Sequence, residues 1–429
     1  MTSVDSEIKL DINPVFPLWL NSDFFCSILR NNKHFPGSND SLCVDAIHME
    51  PASAVGDNYM STVYRVQIEY RLNEKSEKSE TLSLVIKTIP DAGALGEIVE
   101  QFNAFPKESE MYSKIIPGLE EIWLRVGHSV QFGPKCWYSS NDPVPVIIMD
   151  DLKADDYKML PRKEGVGLTE SKACISKLAK FHAASLIYYD ENGPYNDLFN
   201  EGIARSGMRN EMTRYYSSMY NGLMEMLEEW PPATPYLPKL RLWKGRVFDA
   251  VYELLKSEKD SFNVLNHGDA WTNNLMFRQS VLGKPEVIFI DFQLSSWTSP
   301  AVDLLYFIFD ACSSEIQLTH LDELLKFYHS ELVSSLQELQ IPERAPSFEE
   351  INNAVHKKGF FGAMMIIETI PTMKHEAELY FDLESVLDPD NEEGKILKRK
   401  IFNAEYFKNI LKNMLPFLEE RGFINVPEF

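Results

Sequence analysis

The chemistry legible in this chain rests on four polar residues in a fixed order. Asp269 lies in the loop His267-Gly268-Asp269-Ala270-Trp271-Thr272-Asn273-Asn274, with Asn274 five positions on. The apolar run Val287-Ile288-Phe289-Ile290 then delivers Asp291, Phe292 and Gln293. One carboxylate placed to take a hydroxyl proton, with two hard oxygen ligands for Mg2+, is what phosphoryl transfer from ATP requires. Lys87, closing an apolar strand far upstream, supplies the cation such chemistry sets on the alpha and beta phosphates. The order and spacing carry this reading, since an isolated Gly-Asp pair is an ordinary loop dipeptide.

Each residue has an expected task. Asp269 orients the acceptor hydroxyl and accepts its proton, while Asn274 and Asp291 hold Mg2+. Lys87 needs a glutamate on a helix to steady it. Glu108 is the candidate, flanked at three-residue steps by Phe105 and Met111, and Glu110 is its competitor. His267 is expected to brace the loop by hydrogen bonding, and His182, on the apolar face of its helix, to be a satisfied core histidine.

The elements that must position these residues follow from periodicity. A helix is predicted over residues 17–31, with Asn21 or Ser22 as caps. Period-two strands follow at Val44–Met49, Thr62–Tyr70 and Leu82–Lys87, then around Lys135–Ser139 and Val144–Met149, the last apolar enough to be central. Between the first two strands, Ser53–Ser61 includes Gly56, Asn58 and Ser61 and can lay backbone N–H groups against phosphate oxygens. A helix over 96–116 is expected to stop at Pro117-Gly118. Beyond Asp150-Asp151-Leu152 the pattern is helical: 171–186, 209–230, 240–255, 302–310, 321–339, 348–370 and 395–420. The predicted organisation is a first lobe over 1–148, a hinge at 149–152 and a helical second lobe over 153–429. The second lobe holds the catalytic loop 267–274 and the triplet 291–293. The segment 388–394 resembles a calcium loop only superficially and reads as a helix cap or acidic loop.

The totals exclude several classes. The chain has 429 residues and a formal charge of -22, which repels nucleic acid and anionic lipid. The start is acidic and without an apolar run, no stretch reaches membrane-spanning length, and the five cysteines lack CxxC spacing. A cytoplasmic monomer is the expectation, without membrane insertion.

At these residues the chain resembles the ecdysteroid-kinase-like family, also called CHK kinase-like, a relative of the choline and aminoglycoside kinases. The resemblance is carried by GDNYMSTVYRVQIEY from Gly56, LSLVIKT to Thr88, FPKESEMY from Phe105, VIIMDDL to Leu152 and LAKFHAAS to Ser185. It continues through LNHGDAWTNNLMF to Phe277 and VIFIDFQLSSWTSPAVDLLYF to Phe307. It implies an α+β, protein-kinase-like fold with ATP between lobes and adenine on the backbone of Asp150, Asp151 and Leu152. It further implies transfer of the gamma phosphate to a small-molecule hydroxyl, in founding members that of an ecdysteroid, with Asp303 bracing the catalytic loop. Gln293 stands where a protein kinase has glycine, and the short path to Ser299-Pro300-Ala301 leaves no activation loop.

The leading expectation is therefore an ATP- and Mg2+-dependent kinase for a small alcohol. Tyr215, Tyr216, Met219, Tyr220, Met224, Met226 and Trp230 would suit a broad, steroid-like ligand or simply pack the lobe. A choline- or aminoglycoside-type kinase is the second expectation, with Glu225, Glu228, Glu229 and Trp230 facing a cation. A catalytically silent nucleotide-binding protein is the third.

Overall fold

The computed structural model describes residues 16–32, 35, 41–52, 61–73, 76, 78–89, 103–374 and 391–429. Gly56, Asn58 and most of the acidic segment before Asn391 lie outside these. The chain divides into two units, one within 1–90 and 136–151, the other within 91–135 and 152–429.

The first unit is a five-stranded antiparallel sheet of β1 (Cys43–Pro51), β2 (Thr62–Arg71), β3 (Glu80–Thr88), β4 (Cys136–Ser140) and β5 (Val146–Asp150). Its order is β1-β2-β3-β5-β4, so the apolar β5 lies inside the sheet as its composition demands. Alternation sends Val66 and Ile68 of β2 and Leu84 and Ile86 of β3 into one core. Onto it α1 (Ser22–Asn31) lays Phe25, Ile28 and Leu29. Asn21 caps this helix, its side chain accepting the Phe24 N–H at 3.1 Å. Lys87 follows Ile86 and so takes the other face of β3, between Val63 and Ile147 in register.

The second unit is mostly helical. Its first helix runs α2 (Ala104–Glu110), a π turn at Met111–Ile115, then α3 (Ile116–Arg125). It passes straight through the expected stop at Pro117-Gly118. Pro117 stands in the first turn of α3, where a missing N–H costs least. Gly118 marks a close approach: a Cβ there would lie 2.4 Å from the Tyr188 ring of α4 (Leu168–Asn192). Tyr188 is stacked on Tyr195 with centroids 5.7 Å apart, so its ring has nowhere to retreat. Alanine gains about 1 kcal/mol of helix propensity here, and overpacking costs about 1–3 kcal/mol. Gly118→Ala is therefore expected to lower the urea midpoint. An unchanged or raised midpoint would show that α3 and α4 have slack.

Three helices predicted as continuous are broken, two of them at a Lys-Gly pair that interrupts the apolar period and the third, 395–420, at the extended Ala404 between Glu392–Asn403 and Glu405–Glu420. Residues 240–255 resolve into Leu237–Leu240, a 3-10 turn at Arg241–Trp243 and the helix Val247–Leu255, with Gly245 at φ 68°. Residues 348–370 resolve into Phe348–Lys357, Gly359–Met364, a π turn at Met365–Thr369 and a short Ile370–Met373. Asn391 caps the helix Glu392–Asn403, accepting the Gly394 N–H at 3.0 Å. No helix among the described residues is long and apolar enough to cross a membrane.

Candidate active site

Two small strand pairs set the site. β6 (Val264–Asn266) leads into the loop and pairs antiparallel with β9 (Ser296–Thr298). Between them β7 (Leu275–Gln279) and β8 (Pro285–Phe289) form a hairpin in which Leu275 faces Phe289. β7 was not foreseen, being short and joined directly to the loop. The pairing extends one step further, the Ile290 N–H donating to the Asn274 carbonyl at 3.0 Å. Asp291 therefore emerges beside Asn274 at the root of the hairpin. A 3-10 turn at Thr272–Asn274 bends the chain back, and Asn274 Nδ2 donates to both the Asp269 carbonyl and Asp269 Oδ2 at 2.9 Å.

Asp269 is buried, with Tyr306 of α5 (Ala301–Tyr306) donating to its Oδ1 at 2.5 Å. Burial first, then the charge at Asp291, raises its carboxyl well above the usual range, while the hydrogen bonds from Tyr306 and Asn274 oppose the shift. Each carboxylate oxygen has two lone-pair sites, so the two bonds leave room to accept a hydroxyl proton.

Asp303 organises the loop. Its Oδ2 accepts the His267 N–H at 2.7 Å and its Oδ1 the Gly268 N–H at 2.8 Å. His182 Nε2 lies 3.0 Å from Asp303 Oδ2 and His182 Nδ1 2.8 Å from the Tyr328 hydroxyl. The histidine thus donates to the carboxylate and accepts from the phenol. His267 Nε2 faces the Ile290 carbonyl at 3.1 Å and must donate, so Nδ1 is the acceptor for the Asp269 N–H at 3.2 Å. Burial lowers its pKa and favours this neutral form. Both histidines are braces.

Gly268 has two reasons to be glycine: φ is 81°, and a Cβ would sit 2.2 Å from the Leu294 carbonyl oxygen. Asp291 also adopts left-handed backbone, at φ 67°, with its N–H donating to the Tyr112 hydroxyl at 3.0 Å. Lys107 ties α2 to the same segment, its Nζ donating to the carbonyls of Ser295 at 2.8 Å and Glu201 at 2.7 Å.

Asn274 spends its nitrogen on Asp269, which leaves its Oδ1 as the hard oxygen, and Asp291 follows Ile290, whose N–H pairs with the Asn274 carbonyl. Among the described residues no three His, Cys, Asp or Glu side chains form a metal-ligating group. Asn274 and Asp291 would be the residues to hold Mg2+, a hard cation commonly bound through only one or two protein oxygens, and the ion would there offset phosphate charge.

The remaining sequence-derived residues lie as follows. Lys87 and Ser61 are buried in the first unit. Asp151 Oδ2 accepts Arg65 Nε and Ser83 Oγ, both at 2.8 Å, and Asp150 Oδ1 accepts Trp137 Nε1 at 2.5 Å. These side chains hold their own sheet. Leu152 begins the second unit and packs with Tyr157, Met276 and Ile288. In α2 Glu108 is 1% exposed, whereas Glu110 engages Asn196 and lies 3.8 Å from Lys114. Tyr306 and Tyr112 went unrecognised in the sequence because nothing local marks a tyrosine that serves a residue far along the chain.

Two further acids stand on π turns. Asp310, in the turn Phe307–Ala311, is raised to about 6, burial outweighing Lys374. Glu368, in the turn Met365–Thr369, is raised to about 8 by burial. A folded state holding Glu368 above its unfolded pKa keeps a proton the unfolded chain gives up. Its stability is complete below the ordinary carboxylate range and is lost as pH rises through about 8. At about 1.4 kcal/mol per pKa unit, Glu368→Gln is expected to be the more stable protein by a few kcal/mol at alkaline pH. Denaturant midpoints across roughly pH 5 to 9 check this. Wild-type and variant curves that run parallel would contradict it.

Among solved structures the chain is similar to a Plasmodium vivax ethanolamine kinase, at 12% identity and TM-score 0.41, over 93% of this chain and 89% of that one. It is also similar to an aminoglycoside phosphotransferase described as putative, from Ralstonia eutropha, at 13% identity and TM-score 0.39, over 90% and 97%. A third is the GDP complex of an aminoglycoside 2'-phosphotransferase, at 11% identity and TM-score 0.41, over 94% and 100%. No curated protein matches. The fold class is the expected α+β one, with a five-stranded antiparallel sheet and a mostly helical remainder. With the model of the ecdysteroid kinase-like family matching residues 55–341, the chain belongs to that family.

Proposed function

We propose that the protein is an ATP- and Mg2+-dependent phosphotransferase acting on the hydroxyl of a small molecule. The observation that carries the reading is the junction of Asp269 with Asn274 at 2.9 Å, beside the emergence of Asp291 from the same hairpin. In the reaction the acceptor oxygen forms a bond to the gamma phosphorus, the bond to the ADP oxygen breaks, and the hydroxyl proton passes to Asp269. Mg2+, when bound, neutralises charge on the phosphate oxygens. Asn274 holds the Asp269 carboxylate in place, and Tyr306 fixes its other oxygen. His267, neutral and engaged at both nitrogens, keeps the loop in register.

Lys87 is assigned to the nucleotide phosphates and Gly56, Asn58 and Ser61 to the phosphate-facing loop, on the sequence pattern. The backbone of Asp150, Asp151 and Leu152 is assigned to adenine on the same basis. Glu108 is assigned as the partner of Lys87 on the sequence pattern, with Glu110 its competitor. The test is incubation with ATP-Mg2+ and a panel of hydroxylated sterols, amino alcohols and plant-type alcohols, watching for an added phosphate by mass. ATP binding without transfer to any acceptor would favour a silent nucleotide-binding protein.

A further inference from the structure

Asp291 is one of few described residues other than glycine with left-handed backbone, at φ 67°. That conformation is uphill for a residue with a Cβ and persists only where its surroundings over-determine it. An unconstrained aspartate would relax, and its carboxylate would swing with it. Here the Asp291 N–H donates to the Tyr112 hydroxyl at 3.0 Å. The next residue, Phe292, is sealed, its ring edge-on to Tyr112 with centroids 5.5 Å apart and tilted against His267 at 4.6 Å. The Phe292 carbonyl then accepts the Ser295 N–H at 3.2 Å, closing a turn.

Tyr112 can serve as a fixed point because its own helix is anchored to this turn. Lys107 of α2, wholly buried, donates to the carbonyl of Ser295 at 2.8 Å and to that of Glu201 at 2.7 Å. The helix thus grips both ends of the segment Asp291–Ser295. Ser295 Oγ donates in turn to the His267 carbonyl at 3.1 Å, which ties the same turn to the loop of Asp269. Tyr112 itself is 1% exposed and stands in the π turn Met111–Ile115, a kind of turn concentrated at functional sites. Ring packing against Phe292 would be met as well by phenylalanine. A buried hydroxyl answers to the polar groups it touches, and the Asp291 N–H is one of them.

We propose that Tyr112 is a positioning residue for Asp291: its hydroxyl, fixed by the anchored helix, holds the Asp291 backbone left-handed and so keeps the carboxylate where the ion is to be taken. Tyr112 acts through Asp291 and enters no bond-making step. Mg2+ demands near-ideal octahedral geometry, so a ligand that swings weakens its site sharply. The role rests on the reading of Asp291 as a Mg2+ ligand, whereas the grip on its backbone does not.

The test compares the full chain with its Tyr112→Phe and Asp291→Asn variants. Calorimetry measures ADP affinity with and without Mg2+, and the ratio reads how well the protein holds the ion on the nucleotide. Tyr112→Phe keeps the ring and removes the acceptor. It is expected to lower that ratio roughly three- to tenfold, the worth of one hydrogen bond, with metal-free ADP affinity unchanged. Hydrogen exchange at the Asp291 amide should quicken by a similar factor, and Asp291→Asn should remove the metal response. A Tyr112→Phe protein that matches wild type in ratio and exchange, while Asp291→Asn loses the response, overturns the role of Tyr112 and leaves the phosphotransferase reading standing. A lower urea midpoint with an unchanged ratio makes Tyr112 a packing residue and overturns the role as well. A metal response that survives in Asp291→Asn overturns the reading of Asp291 as a ligand, and the role of Tyr112 falls with it.

Discussion

Asp269→Asn is expected to reduce phosphoryl transfer by ~10²–10⁴, the range for losing a positioned proton acceptor. The change is close to isosteric. The new amide can still take Asn274 Nδ2 on its oxygen, and its nitrogen can donate to Tyr306, which accepts as readily as it donates. The loop should therefore keep its shape. Removing a negative charge near Asp291 should leave ATP-Mg2+ binding within a few-fold of wild type. Single-turnover transfer and calorimetric nucleotide binding, measured on the same preparation, separate the two. Transfer within about tenfold of wild type would remove Asp269 from the role of base.

The second large effect is at Asp303. This fully buried carboxylate accepts two backbone N–H groups and faces His182. Asp303→Ala strands both amides and one ring nitrogen in a dry interior, and breaking a buried charged network costs about 3–5 kcal/mol. That is a large share of the roughly 5–15 kcal/mol that holds a domain together. Asp303→Asn keeps one acceptor oxygen and should fall between. Urea midpoints order the three proteins, and an alanine variant as stable as wild type would mean that Asp303 is not the loop's anchor.

These predictions also show which parts of the molecule were legible in its residues. The first sheet could be read because β2 and β3 alternate strictly, and β5 because an uninterrupted apolar run fits only an interior strand. Asp269, Asn274 and Asp291 could be read because the chemistry fixes their types and the local backbone their spacing. Asp303 came from the resemblance and His182 as a core residue; their contact joins positions 121 apart, beyond any periodicity. Pro117-Gly118 misled because a stop signal and a close-packing device are written with the same two residues. The π turns at 111–115, 307–311 and 365–369 left no mark, since one extra residue per turn does not disturb an apolar stripe enough to be seen.

One consequence concerns how relatives of this chain should be sought. Asn274 and Asp291 are the two feet of a single β-hairpin, so their nearness is set by strand pairing and not by the number of residues between them. The tip, where Val281 and Leu282 project into water, can gain or lose residues without moving either foot. A search pattern that demands a fixed interval between the asparagine and the second aspartate would pass over chains with the same arrangement. One that asks for an asparagine, a hairpin of any length and an aspartate would find them.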